Sequence, residues 1–91
     1  MRYLVAYDIT DDRTRDRLAK ILLDFGKRLQ ESLFLCEIDP DQKAKLLERA
    51  KKVVNPIEDK LHLIPICNQC WENVEAIGIA AKPEDPDYYV I

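Results

Sequence analysis

Apolar residues near the N-terminus recur at the spacing of an amphipathic helix. This pattern predicts a first helix from Asp11 or Asp12 to Phe25, and Gly26 is expected to end it as a left-handed residue. The buried positions expected from the i, i+3, i+4, i+7 spacing are Leu18, Ile21, Leu22 and Phe25.

A second helix is predicted to begin at the segment Asp39-Pro40-Asp41-Gln42 and to end near Val54, before Pro56. The segment supplies an acidic N-cap, a proline at the first helical position and the glutamine of a capping box. Its inner face is expected to comprise Leu46, Leu47, Ala50 and Val53.

Four apolar segments read as strands. They are Tyr3–Tyr7, a long strand Arg28–Ile38 with a bend near Glu31-Ser32, Lys60–Ile66 and Asn73–Ala80. The resulting order of strands and helices predicts an α+β domain over residues 1–82, with the split β-α-β pattern of ferredoxin-like folds. Such a fold carries both helices on one face of an antiparallel sheet. Residues 83–91 are expected to form a linker and a short β-prone tail.

The strands are apolar on both sides, although two helices can cover only one face of a sheet. We therefore expect a homodimer in which a second copy covers the other face. The tail Tyr88-Tyr89-Val90-Ile91 is expected to pair with an edge strand of the partner protomer, and the alternative is a frayed terminus.

The length of 91 residues allows a single domain, and the sequence contains neither a membrane-spanning stretch nor a signal peptide, which predicts a cytoplasmic protein with no membrane partner. The cysteines are Cys36, Cys67 and Cys70. Cys67 and Cys70 form a C-x-x-C pair whose possible roles are buried thiols, a metal site or redox exchange. We expect buried thiols, because no second ligand pair follows and no thioredoxin-like order surrounds the motif.

The net charge is −3, but residues 13–52 hold 11 Lys and Arg against 7 Asp and Glu, so the middle of the chain is basic. These cations form a stripe on the outer side of each helix: Arg13, Arg17 and Lys20 on the first, and Lys45, Arg49 and Lys52 on the second. Solubility explains such stripes, and so does contact with nucleic-acid phosphates if both helices lie on one side of the sheet.

Asp8 stands at the end of the first strand, where a carboxylate is held at the rim of the sheet and can meet a metal ion or water. The alternative is a structural acid that accepts backbone N–H groups at the turn into the helix. His62, the one histidine of the sequence, lies among apolar residues and is expected in the core or in an interface.

The segment Tyr7-Asp8-Ile9, followed by Asp11-Asp12 and then by Gly26-x-Arg28-x-Gln30-x-Ser32-x-Phe34, is similar to the second CRISPR-associated protein family (Cas-two), the small subunit of the spacer-acquisition machinery. The resemblance implies a ferredoxin-like homodimer in which Asp8 of each protomer faces its symmetry mate. It implies Asp8 as catalytic residue and metal ligand, with one Mg²⁺ between the two copies.

The resemblance leaves two functions open. One is a Mg²⁺-dependent endonuclease for RNA or double-stranded DNA that acts with an integrase, and the other is a non-catalytic DNA-binding scaffold that bridges integrase dimers. A toxin-like ribonuclease of similar fold is a third possibility. The residues expected to contact nucleic acid are Arg13, Arg17, Lys20, Arg28, Lys45, Arg49 and Lys52.

Overall fold

A computed structural model of the chain describes residues 1–77. These residues form one four-stranded sheet and three helices. The elements in chain order are β1 (Arg2–Asp8), α1 (Asp12–Leu23), β2 (Lys27–Gln30), β3 (Leu33–Glu37), α2 (Pro40–Lys51), β4 (Lys60–Ile66) and α3 (Asn68–Glu72). The prediction of an α+β chain is confirmed, and β4 has the predicted bounds.

The strand order in the sheet is β2-β3-β1-β4, and all three pairings are antiparallel. Strand β1 therefore lies in the interior of the sheet. Its residue Val5 is opposite Phe34 on one side and Leu63 on the other. Because directly opposed residues point to the same face, this register decides which side chains share each face.

Both long helices pack on one face of the sheet, which we call the helix face. Alternate residues of β1, namely Tyr3, Val5 and Tyr7, are buried there together with residues of α1 and α2. The cluster is completed by Ile9, Leu18, Ala19, Leu22, Phe34, Cys36, Ile38, Leu46 and Ala50. Both helices thus lie on one side of the sheet, which is the condition under which their basic stripes could contact nucleic-acid phosphates together.

The helices begin where their capping residues predict. Asp11 is the N-cap of α1, and Asp39 and Gln42 form a complete capping box at α2. Both helices end earlier than the sequence pattern predicts: α1 ends at Leu23 and α2 at Lys51. Ile21 in α1 and Phe25 after its end are only partly buried, and Ala19 occupies a buried position instead.

The predicted long strand Arg28–Ile38 is wrong, because it is a hairpin of two strands with Glu31 and Ser32 in its turn. Contacts with β1 hold this turn. The backbone N–H of Tyr7 donates to the Ser32 carbonyl at 3.2 Å, and the Tyr7 hydroxyl donates to the Glu31 carbonyl at 2.8 Å. A register shift between Arg28 and Gln30 adjusts β2 to the turn.

Gly26 is required for close approach and not for the left-handed conformation that was expected. A Cβ atom at this position would collide with the Leu35 carbonyl oxygen, and it would lie 2.7 Å from the Cys36 sulfur. The chain after α1 therefore passes directly against β3, and only a residue without a side chain fits there.

The predicted strand Asn73–Ala80 is not formed in its described part, because residues 73–77 contain no strand. The short helix α3 precedes them, and its Trp71 is buried beneath the Arg2 guanidinium, which lies 5.3 Å from the ring centroid. The rest of that predicted strand, the linker and the tail lie outside the described residues. Within residues 1–77 no helix has the length and apolar character needed to cross a membrane.

Candidate functional site

Asp8 is exposed at the last position of β1. Its carboxylate has no hydrogen bond or ion pair with any other residue of the described range 1–77. The structural role at the turn belongs instead to Asp11, whose carboxylate accepts the Thr14 backbone N–H and the Thr14 hydroxyl, each at 2.8 Å. Asp8 is thus left available to a ligand.

The backbone on both sides of Asp8 is anchored. Tyr7 is buried against Phe34, with ring centroids 6.2 Å apart, and its hydroxyl holds the hairpin turn. Arg15 donates to the Ile9 carbonyl at 3.1 Å and forms an ion pair with Asp12. Arg15 was not identified from the sequence, although its position in the first turn of the helix that follows Asp8 was the available indication.

Asp8 points to the face of the sheet opposite the helix face, which we call the second face. Lys60 and His62 share this face, since they lie opposite Asp8 and Ala6 in the register of β1 with β4. Both are exposed. His62 was expected in the core or in an interface, and the core position is wrong. Side chains alternate between the two faces along a strand, and His62 lies on the face away from the helices.

One chain does not provide a complete set of metal ligands around Asp8. Residues 1–77 contain no group of three or more His, Cys, Asp or Glu side chains placed to hold an ion. An exposed carboxylate without protein partners is nonetheless suited to Mg²⁺, which is usually bound through one or two carboxylates together with water and phosphate oxygens. A second copy of Asp8 would supply the second carboxylate.

Most of the cations predicted to bind nucleic acid are exposed on α1 and at the outer side of α2. They are Arg13, Arg17, Lys20, Lys45 and Lys52. Because α1 and α2 lie side by side on the helix face, these cations belong to one side of the molecule.

Two of the predicted phosphate contacts have partners within the chain. Arg49 forms an ion pair with Asp24 at 2.9 Å, and its guanidinium lies 5.6 Å from the centroid of the Phe25 ring. Arg49 thus links α2 to the end of α1. The Arg28 guanidinium lies 5.2 Å from the centroid of the Phe34 ring, on the edge strand β2.

The C-x-x-C pair is exposed, so the expectation of buried thiols is wrong for Cys67 and Cys70. Cys67 is the N-cap of α3, and its sulfur accepts the Cys70 backbone N–H at 3.5 Å. This hydrogen bond lowers the pKa of Cys67, and the hydrogen bond between the two side chains raises the pKa of Cys70. Cys36 is buried in the core, and burial raises its pKa to about 11.

Comparisons with known proteins agree with one another. A family model described as CRISPR associated protein Cas2 matches residues 1–74. The chain is 34% identical over its whole length to the whole of the CRISPR-associated endoribonuclease Cas2 1 of Chloroflexus aurantiacus. It is 38% identical to the CRISPR-associated endonuclease Cas2 2 of Thermus thermophilus, over 90% of this chain and 87% of that one.

Solved structures show the same fold. A crystal structure of a hypothetical protein from Thermus thermophilus superposes with a TM-score of 0.81 at 36% identity, covering 91% of this chain and 96% of that chain. The crystal structure of Streptococcus pyogenes Cas2 superposes with a TM-score of 0.79 at 24% identity, over 86% of this chain and 100% of the other.

The different roles of Asp8 and Asp11 can be tested by stability. Asp11→Ala is expected to lower the midpoint of urea unfolding, because α1 loses its cap, whereas Asp8→Ala should leave the midpoint unchanged. The cap lowers the pKa of Asp11 from its ordinary value of 3.8, so the stabilisation is present at neutral pH and is lost as the pH falls through the folded-state value. Equal losses in both variants would contradict the assignment.

Proposed function

The chain belongs to the CRISPR associated protein Cas2 family, and from this premise we propose that it is a dimeric, Mg²⁺-dependent endonuclease that acts with an integrase in spacer acquisition. The observation that carries the proposal is the position of Asp8. Its carboxylate is exposed at the rim of the sheet and has no partner among residues 1–77. The names of the relatives from Chloroflexus aurantiacus and Thermus thermophilus, an endoribonuclease and an endonuclease, support hydrolysis of a phosphodiester.

The proposed active site uses Asp8 from two protomers. Mg²⁺, when bound, supplies a water of lowered pKa and offsets the negative charge of the scissile phosphate. The protein's part is to hold each carboxylate at a fixed place. The paired strand β1 does this on one side, and the contact of Arg15 with the Ile9 carbonyl does so on the other. Lys60, opposite Asp8 on the same face, is placed to attract the phosphate.

The second face supports the proposed dimer. Its central positions on β1 are Leu4 and Ala6, and Ile64 opposite Leu4 is 48% exposed. An apolar strip of this kind in the middle of a sheet is costly to leave in water. The strand order β2-β3-β1-β4 supports the ferredoxin-like assignment, and the two long helices, which pack on the other face, leave Leu4, Ala6 and Ile64 uncovered.

A non-catalytic scaffold is the second candidate function, and the side-by-side arrangement of α1 and α2 favours it. Exposed cations on both helices can follow the phosphates of a duplex without reading its bases. This role needs the basic helices and the dimer, but it does not need the Asp8 carboxylate. The two functions therefore make different demands on the same chain.

Substitution of Asp8 tests the nuclease. Asp8→Ala and Asp8→Asn are expected to reduce Mg²⁺-dependent cleavage of single-stranded RNA or double-stranded DNA by more than about 100-fold, because the metal loses its protein ligands. Asp11→Ala is the matched control and should cleave at the wild-type rate at a temperature where it is folded. Cleavage that survives in Asp8→Asn, or that persists in excess chelator, would refute the proposed Mg²⁺-dependent nuclease activity of the Asp8 site. Integration assays with the same variants then test the scaffold.

Charge reversal tests the duplex surface. Arg13→Glu, Arg17→Glu and Lys45→Glu are expected to weaken duplex binding, and each lost phosphate contact should reduce the slope of log K against log salt by about 1. Lys27→Glu is the control with the same charge change; Lys27 lies opposite Leu35 on the second face, so the variants are compared at concentrations where sedimentation equilibrium shows equal dimer content. Unchanged affinity and slope in the helix variants would exclude these helices as the contact surface.

A charge in the apolar strip tests the dimer. Ile64→Asp is expected to weaken self-association at least about tenfold, because the carboxylate would be buried between copies. Ile57→Asp is the control, since Ile57 is 92% exposed and lies outside the sheet. Sedimentation equilibrium measures both. A wild-type chain that is monomeric at all concentrations, or equal association of the two variants, would contradict an interface on the second face.

A further inference from the structure

The C-x-x-C pair takes no part in the proposed nuclease. Arg2 and Ile66 are opposed at one end of the β1–β4 pairing, and Asp8 and Lys60 at the other. Cys67 follows Ile66 directly, so it lies about 20 Å from Asp8 along a seven-residue strand. Any chemistry of these thiols is therefore separate from the carboxylate site.

We propose that Cys67 and Cys70 form a redox-active dithiol that is oxidised by small-molecule disulfides, with Cys67 as the attacking thiol and Cys70 as the resolving thiol. Four observations support this inference: the exposure of both thiols, their hydrogen-bonded contact, the different roles of their two sulfur atoms, and a cavity at Cys67.

The contact between the two residues gives the sulfur atoms different properties. The Cys67 sulfur accepts the Cys70 backbone N–H, which stabilises the thiolate and lowers the pKa of Cys67. Among residues 1–77 the Cys70 sulfur receives no such donor, and its hydrogen bond to the Cys67 sulfur raises the pKa of Cys70. Cys67 is thus the better nucleophile at neutral pH, and Cys70 is already beside it.

The cavity next to Cys67 gives a small reagent room to approach. Its volume is about 390 Å³, which is within the range that binds small molecules. On one side of the cavity, the Arg2 guanidinium forms an ion pair with the Glu37 carboxylate at 2.6 Å and donates to the Asn68 side chain at 3.3 Å. The lining residues are Met1, Arg2, Glu37, Ile66, Cys67 and Asn68.

The exchange is balanced in two steps. The Cys67 thiolate attacks one sulfur of the small disulfide, the S–S bond breaks, and one thiolate leaves while a mixed disulfide forms at Cys67. Cys70 then loses its proton and attacks the Cys67 sulfur, which releases the second small thiolate. The dithiol is oxidised to a Cys67–Cys70 disulfide, and the small disulfide is reduced to two thiols.

Oxidised glutathione is the probe for this reaction, and mass spectrometry is the readout. The tryptic fragment 61–91 contains Cys67 and Cys70 without Cys36, because Lys60 is followed by Leu61 and Lys82 by a proline. In the folded wild-type chain this fragment should lose two hydrogens and retain no glutathione. Cys36 is the internal control and should stay reduced, because it is buried.

Two single substitutions separate the roles. Cys70→Ser should accumulate a stable glutathione adduct on Cys67, because the backbone donor remains and the resolving thiol is gone. Cys67→Ser should form its adduct on Cys70 more slowly, by about threefold or more. In urea this difference should disappear.

Three results would overturn the proposal. They are equal rates for the two single-cysteine variants in the folded state, a wild-type chain that keeps a glutathione adduct without closing the disulfide, and closure at the same rate in urea as in the folded chain. None of these results depends on cleavage of nucleic acid, so a failure here is distinguishable from a failure of the proposed nuclease.

Discussion

The double pairing of β1 is the constraint on which the rest of the structure depends. Because β3 and β4 flank this strand, its register is fixed on both edges, and Tyr3, Val5 and Tyr7 must enter the core beneath the helices. A slip by one residue would turn these three side chains to the other face and would bring Asp8 towards the core. The position of the carboxylate at the rim of the second face is therefore a consequence of core packing on the helix face.

Three acids lie close together in the sequence, one at the end of β1 and two after it, and their surroundings give them different roles. Asp11 caps α1, and Asp12 pairs with Arg15, which in turn holds the Ile9 carbonyl. Both contribute to the fold. Asp8 has no such contact within residues 1–77. The turn is thus stabilised without Asp8, and this separation is what makes a carboxylate at the end of a strand suitable for a ligand.

Features that depend on neighbouring residues were predictable from the sequence, and features that depend on strand pairing were not. The capping box at Asp39 and the bounds of β4 are set by residues adjacent in the sequence. The strand-end position of Asp8 is likewise predictable, because the strand before it is a continuous apolar run. The hairpin at Glu31-Ser32 lacks the glycine or asparagine of a typical tight turn and is held by Tyr7 instead. The need for Gly26 comes from β3, and the neighbours of Asp8 at Lys60 and His62 come from the register with β4. Nor does any local pattern pair Arg49 with Asp24.

The second face has an apolar middle and a polar end. In the proposed dimer, the apolar middle favours association and the polar end opposes it. Burial of Leu4, Ala6 and Ile64 favours association, whereas two copies of the Asp8 carboxylate repel one another when they approach. A divalent cation held by the two carboxylates would offset this repulsion. In the proposed dimer, metal binding and dimerisation would therefore be coupled: a dimer that binds the metal more tightly than the monomer would, by reciprocity, be strengthened by the metal by the same factor. In such an arrangement the carboxylate that limits association without metal becomes part of the interface when metal is bound.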